Sequence, residues 1–352
     1  MRLKTFFGLF MTFALLASSV TPVLAAEKPS VSAEGAVLMD AETGTVLFEK
    51  EADQKRLIAS TTKIMTALVV LECCNDLDQT LKVPAEAVGV EGSSMYLQAE
   101  QLVTVRDLLY GLLLKSGNDA AAALAIHCAG SIDAFSAKMN EKAASLGMKN
   151  SAFQNPHGLN AEHHFSSARD MAILTRAAHQ NEVFTKIVSS KYAQVNGITI
   201  KNHNRMLWSY AGADGVKTGY TINAGRCLVS SATREGMRLI AVTLKDHNDW
   251  ADHAAMLDYG FNNYSLKTLC VEDQVFREVP VIGGDNVKAK AIKTERVLLE
   301  KEEEGLLEIQ VFLPRYMWQP VIPGQRIGML TAMLDGKVLA QCPLVAEKLS
   351  EG

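Results

Sequence analysis

The sequence predicts an α+β domain followed by a small all-β domain, and three observations carry that prediction. A strand-like hairpin pattern opens the globular part, a helical middle third follows, and past residue 270 only short alternating runs remain. The length of 352 residues suits about two domains, and 48% apolar against 21% charged residues is typical of a well-packed globular chain. We therefore expect domains at residues 26–269 and 270–352.

Residues 1–25 have the features of a secretory signal peptide. Arg2 and Lys4 precede an apolar stretch from Phe6 to Ala17, and the small residues that follow favour cleavage after Ala25. An uncleaved membrane anchor is the alternative, but the apolar stretch is shorter than the ~20 residues that span a bilayer. We therefore expect an exported, extracytoplasmic protein.

Charge and cysteine content exclude several classes of function. The formal net charge of −4 provides no broad positive field, so nucleic acid is not an expected partner. The six cysteines lack Cys-x-x-Cys spacing and have no His-rich cluster beside them, so zinc and thioredoxin-like redox sites have little support. We expect no metal and no organic cofactor. Cys128 and Cys227 lie in apolar runs and are expected to be buried, while disulfide pairing is left open among Cys73, Cys74, Cys128, Cys227, Cys270 and Cys342. Two histidine pairs are expected in loops or on a helix surface: His163 with His164, and His247 with His253.

Each element of the first domain has a sequence signal. Residues 35–50 predict a hairpin that turns on Gly44. Apolar residues at helical spacing predict helices at 58–71, 104–114, 119–129, 131–147 and 167–179, with start signals at Ser60, Thr104, Ser131 and Ser167 and an end signal at Gly147. Strands are expected at 215–221, 227–232 and 239–244, followed by a helix at about 249–261.

The second domain is predicted from alternating runs separated by Gly, Asp and Asn residues. The runs are 275–282, 287–292, 306–312, 327–333 and 338–345. Such spacing is typical of a small antiparallel β domain. Residues 347–352 do not form an amphipathic helix long enough to lie on a membrane, so the sequence leaves membrane association open.

The first candidate for catalysis is Ser60-Thr61-Thr62-Lys63. Three residues along a helix is close to one turn, so the Ser60 hydroxyl and the Lys63 ammonium can meet on one face. A lysine can accept the hydroxyl proton only if its pKa falls, and burial with a neighbouring cation would lower it. Taken alone the motif is weak, because Ser-x-x-Lys is expected about once by chance in such a chain, and a helix cap followed by a solvated lysine is the alternative.

Two further motifs strengthen this candidate. Ser116-Gly117-Asn118 lies between two predicted helices, where its hydroxyl and amide groups would be exposed on a short loop; an ordinary turn is the alternative. Lys217-Thr218-Gly219 lies on a predicted strand, where the absent side chain of Gly219 would let a ligand approach the backbone; a sheet edge protected by a lysine is the alternative. The joint occurrence of all three motifs by chance is remote.

In this order the three motifs are the signature set of class A β-lactamases and penicillin-binding proteins. The chain resembles the low-molecular-mass penicillin-binding proteins that are serine-type D-Ala-D-Ala carboxypeptidases, the peptidase S11 family. The resemblance covers nearly the whole mature chain, including Gly92-Ser93-Ser94-Met95 and the loop from Asn155 to Leu159. It implies a penicillin-binding/β-lactamase-like transpeptidase fold in the first domain, an antiparallel sheet with a helical cluster. The implied partners are bacterial peptidoglycan stem peptides ending in D-Ala-D-Ala and, as covalent inhibitors, β-lactams.

The resemblance also implies catalytic roles. Ser60 would attack the carbonyl of the penultimate D-Ala, and Lys63 would take the hydroxyl proton. Ser116 would pass a proton towards the leaving amine, and Asn118 would hold the peptide backbone of the substrate. Water would then hydrolyse the acyl-enzyme.

Binding of the substrate is implied for the residues around the third motif. Lys217 and Thr218 would bind the terminal carboxylate, and Lys217 would also keep the pKa of the catalytic lysine low. The oxyanion hole would use the backbone N–H groups of the nucleophile and of Tyr220, the residue after Gly219. His203 falls where some members of the family carry a basic residue that faces the substrate carboxylate.

Three alternatives remain open. A serine β-lactamase of class A needs a glutamate that activates the deacylating water, and the stretch from Asn155 to Ser167 offers only Glu162, outside any matching motif. A D,D-endopeptidase of the same superfamily differs in the shape of its groove, which the sequence does not reveal. A catalytically silent cell-wall-binding or penicillin-sensing module would have no physical need for the complete set of reactive side chains.

Overall fold

The structure is a computed structural model that describes residues 27–348. The predicted signal peptide, residues 1–25, lies outside the described residues. Helices and strands are both present up to Asn263, and strands dominate from Tyr264 onwards. The chain therefore has the predicted order, an α+β part followed by a β part.

The α+β part is built around one sheet. Its elements in chain order are β1 (Gly35–Asp40), β2 (Val46–Lys50), α1 (Lys63–Cys73), β3 (Thr80–Lys82), β4 (Leu102–Thr104), α2 (Val105–Tyr110), α3 (Asn118–Ala129), α4 (Ile132–Ser145), α5 (Ala168–Ala178), α6 (Glu182–Ser189), β5 (Tyr192–Val195), β6 (Ile198–Lys201), α7 (Met206–Ser209), β7 (Ala213–Thr221), β8 (Gly225–Arg234), β9 (Met237–Asp246) and α8 (Asp249–Asn263). The sheet has the order β2-β1-β9-β8-β7, and all its pairs are antiparallel. The predicted hairpins and the helical middle third are confirmed, whereas α6 and the β5–β6 hairpin had no predicted counterpart.

Both faces of the central sheet are buried. Successive side chains of a strand point to opposite faces, so Val37 packs with the helical cluster around α1 to α6 while Leu38 packs with α8. This explains why β1 is buried at every position from Gly35 to Asp40 and reads as a continuous apolar run. Strand β7 forms the edge of this sheet and contacts the turn Ala59–Thr62 at the start of α1.

Helix starts follow the sequence signals, and one helix departs from its predicted length. The side chains of Thr104, Ser131 and Ser167 each accept the backbone N–H three residues on, as their cap patterns predict. The helix expected to reach residue 114 ends at Tyr110 and continues as one wider π-type turn, Gly111–Lys115. The first residue of this turn has to be glycine, because a Cβ on Gly111 would lie 1.7 Å from Met95 Sδ; the Met95 side chain fills that space.

The β part has its own core. Its strands are β10 (Tyr264–Cys270), β11 (Val275–Val279), β12 (Val281–Ile282), β13 (Val287–Ala291), β14 (Glu295–Glu300), β15 (Glu308–Phe312), β16 (Met317–Trp318), β17 (Arg326–Leu334) and β18 (Lys337–Lys348). One antiparallel sheet has the order β11-β13-β18-β17-β15, β10 pairs with β14, and β12 pairs with β16 in parallel. Strands β10, β14 and β16 were missed in the sequence. Across residues 27–348 no single helix has the length and apolar character to cross a membrane; α3 and α4 reach that length only as a pair bent by 84°.

The cysteines and histidines depart in part from expectation. All six cysteines are free thiols, and Cys227 is buried as predicted. Cys128 is partly exposed rather than buried, because it lies near the end of α3, with its Sγ 3.4 Å from that of Cys74. His253 was expected in a loop or on a helix surface, but it is fully buried on the sheet-facing side of α8, where Ser230 and Thr243 hydrogen-bond to its ring. Within residues 27–348 no three His, Cys, Asp or Glu side chains are grouped to hold a metal ion.

Removal of one buried aromatic ring from the helical cluster tests this core. Phe135 in α4 is fully buried, so Phe135→Ala is expected to lower the free energy of unfolding by about 3–5 kcal/mol. Urea unfolding followed by circular dichroism measures the change. Ile198→Ala is the control, because Ile198 is 67% exposed and its loss should cost less than about 0.5 kcal/mol. Equal losses in both variants would contradict the assigned core.

Candidate active site

The Ser60 hydroxyl and the Lys63 amine meet at the start of α1. Residues Ala59–Thr62 form a 3-10 turn, and α1 begins only at Lys63, so the helix predicted from residue 58 starts later than expected. The tighter turn still brings the two groups together, with Lys63 Nζ 3.0 Å from Ser60 Oγ. Ala59 has a φ of 46°, a left-handed conformation that stores strain directly before the serine.

Lys63 is fully buried and has two more hydrogen-bond partners. Its Nζ donates to Asn118 Oδ1 at 2.7 Å and to the carbonyl oxygen of His157 at 2.7 Å. A neutral amine has two N–H groups and one lone pair, and these two oxygens can only accept. When Asn118 and His157 take both N–H groups, the lone pair therefore faces the hydroxyl of Ser60.

The electrostatic environment favours the neutral form of Lys63. Burial lowers the pKa of Lys63 well below its usual value, and the positive charge of Lys217 lowers this pKa further, against an opposing effect of Asp119. Burial also lowers the pKa of the His157 ring to about 3, with a further contribution from Lys63. The imidazole is therefore neutral at pH 7. The hydrogen bond of His157 to Lys63 is made by its backbone carbonyl.

The segment Ser116-Gly117-Asn118 connects the wide turn after α2 to α3. Ser116 has a φ of 62° and ends the turn, while Asn118 is the first residue of α3. Both side chains are buried rather than exposed on a loop, which corrects the prediction. The reason is that both ends of the Asn118 amide have partners, since Nδ2 donates to the carbonyl of Glu91 while Oδ1 accepts from Lys63.

The Lys217-Thr218-Gly219 motif lies on the edge strand β7. Lys217 is 1% exposed, and its Nζ donates to the carbonyl oxygen of Thr218 at 2.8 Å. Burial lowers the pKa of Lys217 to about 7. The side chain of Lys217 is thus an internal group of the site and does not protect an exposed sheet edge.

Two glycines enclose the nucleophile turn. A Cβ on Gly219 would lie 3.0 Å from Ser60 N and 3.1 Å from both Ile58 O and Thr61 N. A Cβ on Gly158 would lie 1.9 Å from Ala59 O. The space at Gly219, predicted to admit a ligand, is therefore filled by the backbone around Ser60.

The predicted residues converge on one open cavity of about 550 Å³. It is lined by Ser60, Ser93, Ser116, His203, Thr218, Gly219, Tyr220, Arg226, Asp249 and Trp250. Lys63 is hydrogen-bonded to Ser60, Asn118 is hydrogen-bonded to Lys63, and Lys217 is hydrogen-bonded to the carbonyl of Thr218. All nine residues singled out in the sequence thus belong to one constellation.

Sequence reasoning missed several parts of this site. The carbonyls of Glu91 and His157 contact the site through backbone atoms, which leave no residue-type signal. Asp249 was interpreted as part of a helix start, which is correct for α8, but its side chain also faces the cavity. Arg226 offered one weak signal, because it is a charged residue directly before the apolar run of β8.

Comparison with known proteins gives the same assignment for most of the chain. The family model "D-alanyl-D-alanine carboxypeptidase" matches residues 23–248, and "Penicillin-binding protein 5, C-terminal domain" matches residues 264–351. The chain is 35% identical over 333 residues to D-alanyl-D-alanine carboxypeptidase DacF of Bacillus subtilis, covering 90% of this chain and 85% of that one. It is 37% identical over 345 residues to DacC of Escherichia coli, covering 93% and 86%. Penicillin binding protein 5 of Haemophilus influenzae has a similar structure, with a TM-score of 0.78, 32% identity, and coverage of 92% of this chain and 99% of that one.

The fold and the serine–lysine site define a serine hydrolase of the penicillin-binding-protein type. The chain belongs to the D-alanyl-D-alanine carboxypeptidase family, peptidase S11, and carries the C-terminal β domain found in penicillin-binding protein 5.

Substitution of Gly219 tests the close approach between β7 and the nucleophile turn. Gly219→Ala is expected to displace Ser60, because the new methyl group meets backbone atoms that cannot rotate away. A displacement of about 1 Å at a reacting group costs about 10²-fold in rate, so kcat/KM for D-Ala release should fall to that extent. Gly305→Ala is the control, since a Cβ there meets no atom within 4 Å. An unchanged rate for Gly219→Ala would refute the steric argument.

The charge of Lys217 should be visible in the pH dependence of the reaction. Because this charge lowers the pKa of Lys63, Lys217→Met is expected to raise that pKa, and the acidic limb of the kcat/KM profile should move to higher pH. The pH profile of D-Ala release measures the change, with Lys115→Met as the control for general loss of positive charge. A variant that loses activity with an unshifted acidic limb would show that Lys217 does not tune Lys63.

Proposed function

We propose that this protein is an extracytoplasmic D-alanyl-D-alanine carboxypeptidase that removes the terminal D-Ala from peptidoglycan stem peptides through a Ser60 acyl-enzyme. The observation that carries the proposal is the position of the buried Lys63 amine, whose Nζ lies 3.0 Å from Ser60 Oγ. Its other two hydrogen-bond partners, Asn118 Oδ1 and the His157 carbonyl oxygen, can only accept. The family assignment supplies the substrate class. Export is supported by the sequence of residues 1–25.

Acylation begins with the pair Ser60 and Lys63. As Ser60 Oγ bonds to the carbonyl carbon of the penultimate D-Ala, its proton passes to Lys63 Nζ and the carbonyl π electrons move to oxygen. The backbone N–H groups of Ser60 and Tyr220 stabilise the resulting oxyanion. When the tetrahedral intermediate collapses, the C–N bond breaks and the proton returns through Ser116 to the leaving amine of D-Ala.

Deacylation repeats this chemistry with water in place of the serine hydroxyl. Lys63 accepts a proton from water, the hydroxide attacks the ester carbonyl, and Ser60 leaves with a proton restored. A β-lactam acylates Ser60 in the same way: its C–N bond breaks, but the released amine stays tethered to the acyl group through the remaining atoms of the opened ring and blocks the approach of water. The stable adduct accounts for inhibition.

Slow deacylation separates this proposal from a β-lactamase. Glu162 is the glutamate of the stretch from Asn155 to Ser167, and its side chain is exposed. The same stretch contacts Lys63 through the backbone carbonyl of His157. A carbonyl cannot activate water as a carboxylate does. The acyl-enzyme formed with penicillin is therefore expected to persist.

Intact-mass measurement after addition of benzylpenicillin tests the proposed nucleophile. The wild type should gain the mass of one benzylpenicillin molecule and keep it for minutes or longer, while Ser60→Ala should gain none and release no D-Ala. Lys63→Ala should lose at least about 10²-fold in the acylation rate, because the base is gone.

The exposed Ser145→Ala variant serves as the matched serine control and should behave as the wild type. An adduct that disappears within seconds while penicillin is consumed would identify a β-lactamase instead. Activity that persists in Ser60→Ala would refute the mechanism, and a wild type that forms no adduct and releases no D-Ala would point to a silent module.

A further inference from the structure

Two cysteines outside the active-site cavity lie side by side at the ends of two helices. Cys74 directly follows α1, and Cys128 is the second-last residue of α3. Their Sγ atoms are 3.4 Å apart, although the two residues are separated by 54 positions in the sequence. The contact is therefore made by the fold and not by neighbourhood in the chain. The proposed mechanism uses neither thiol.

The geometry of this pair suits a covalent bond. The sulfur atoms of a disulfide lie about 2.05 Å apart, so the two sulfurs have to approach by about 1.4 Å. Cys74 has left the helix, because its φ of −110° and ψ of 108° are those of extended chain. Regular structure begins again only with β3 at Thr80. A small shift of this irregular connection therefore closes the gap between the sulfurs.

Exposure separates this pair from the buried cysteines. Cys74 and Cys128 are both partly exposed, so a soluble oxidant can reach them in the folded protein. Partial burial raises the pKa of both thiols. Because the thiolate is the reactive form, oxidation of the pair is slow at neutral pH and faster at alkaline pH. The folded chain shields the other thiols of the apolar cores, which are Cys227, Cys270 and Cys342.

Bond formation requires an oxidant, and the matching chemical class is another disulfide. One thiolate of the pair attacks a sulfur of that disulfide, releases one thiolate and forms a mixed disulfide. The second thiolate of the pair then attacks the cysteine sulfur of the mixed disulfide and releases the other thiolate. Two cysteine thiols are thereby oxidised, the oxidant is reduced to two thiols, and the two cysteine protons end on the released thiolates.

The two helices that end at this pair also begin at the active site. Lys63 is the first residue of α1 and Asn118 is the first residue of α3, and Lys63 Nζ donates to Asn118 Oδ1 at 2.7 Å. The contact between Cys74 and Cys128 joins the same two helices at their other ends. A covalent bond there would hold α1 and α3 together opposite the hydrogen bond that the site needs.

We propose that Cys74 and Cys128 are a disulfide site and that their bond ties α1 to α3 in an oxidising compartment. The bond closes a loop that contains Ser116 and Asn118, so it restricts the unfolded chain and stabilises the helices that hold the site. It lies at the far end of α1, which has 11 residues, about 16 Å from Lys63. The inference goes beyond the proposed function and relies on it only for the compartment, since disulfides persist in exported proteins.

Disulfide mapping of the purified full-length protein tests the proposal. The folded, reduced wild type is incubated with oxidised glutathione, the remaining thiols are alkylated, and peptides are identified by mass spectrometry before and after reduction. We expect a cross-linked peptide pair that contains Cys74 and Cys128, formed faster at higher pH. The oxidised protein should melt at least roughly 5 °C above the reduced protein. The rate of D-Ala release at room temperature should change less than about 2-fold, because the bond is distant from the reacting groups.

Three variants make the result specific. Cys74→Ser and Cys128→Ser should each abolish the cross-link and the shift in melting temperature on oxidation. Cys73→Ser is the matched control, because Cys73 is exposed and adjoins Cys74 in the sequence. It should form the bond and melt as the wild type does. The oxidised and reduced wild type are compared directly, so the test holds even where a variant folds poorly.

The outcomes are distinguishable. Absence of the peptide pair of Cys74 and Cys128 after oxidation would overturn the inference, and so would a bond from Cys73 to Cys128 in its place. A single glutathione adduct at Cys73, which adds mass instead of removing two hydrogens, would overturn it as well.

The same mapping on protein isolated from its own cells after acid trapping of thiols tests the compartment. Reduced Cys74 and Cys128 in that sample would show that the pair is not oxidised in the cell and would overturn the proposed modification. Mapping needs no substrate, so its result is independent of D-Ala release. A wild type that carries the disulfide but releases no D-Ala would overturn the proposed function and leave this inference intact.

Discussion

The site depends on one buried amine. Lys63 joins the start of α1, the start of α3 through Asn118, and the loop that contains His157. Such a group is costly to bury as a cation without a counter-charge, and the neighbouring charge of Lys217 increases the cost. Burial of the amine therefore also makes it available as a free base, because destabilising the charged form leaves its lone pair unprotonated.

The layers of the fold hold this amine in place. The helical cluster covers one face of the sheet and carries Lys63 and Asn118, while the edge strand β7 brings Lys217 and Gly219 against the turn before α1. On the other face α8 packs against the sheet and its first residues form the far wall of the cavity. The reacting groups thus come from separate elements, and a shared core fixes their distances.

Sequence reasoning predicted the parts of this arrangement that have residue-type signals. The strands of the central sheet, the caps at Thr104, Ser131 and Ser167, and the three motifs could be found from spacing and motif order, whereas Tyr220 and His203 were implied by the family resemblance. The wide turn at Gly111–Lys115 could not, because its apolar residues continue the helical pattern of α2 without a stop signal, and the contact of Gly111 with Met95 joins residues distant in sequence. Arg226 was missed for a similar reason, since its place in the cavity follows only from the pairing of β7 with β8.

The two glycines beside the nucleophile turn limit how this enzyme can evolve. A bulkier residue is the simplest way for a protein to narrow a pocket against an unwanted ligand, but at Gly219 or Gly158 any side chain presses on the backbone next to Ser60. The same change would therefore reduce turnover of the natural substrate. Variation that discriminates between substrate and inhibitor is left to the wall formed by Arg226, Asp249 and Trp250, where side chains can change without moving the serine.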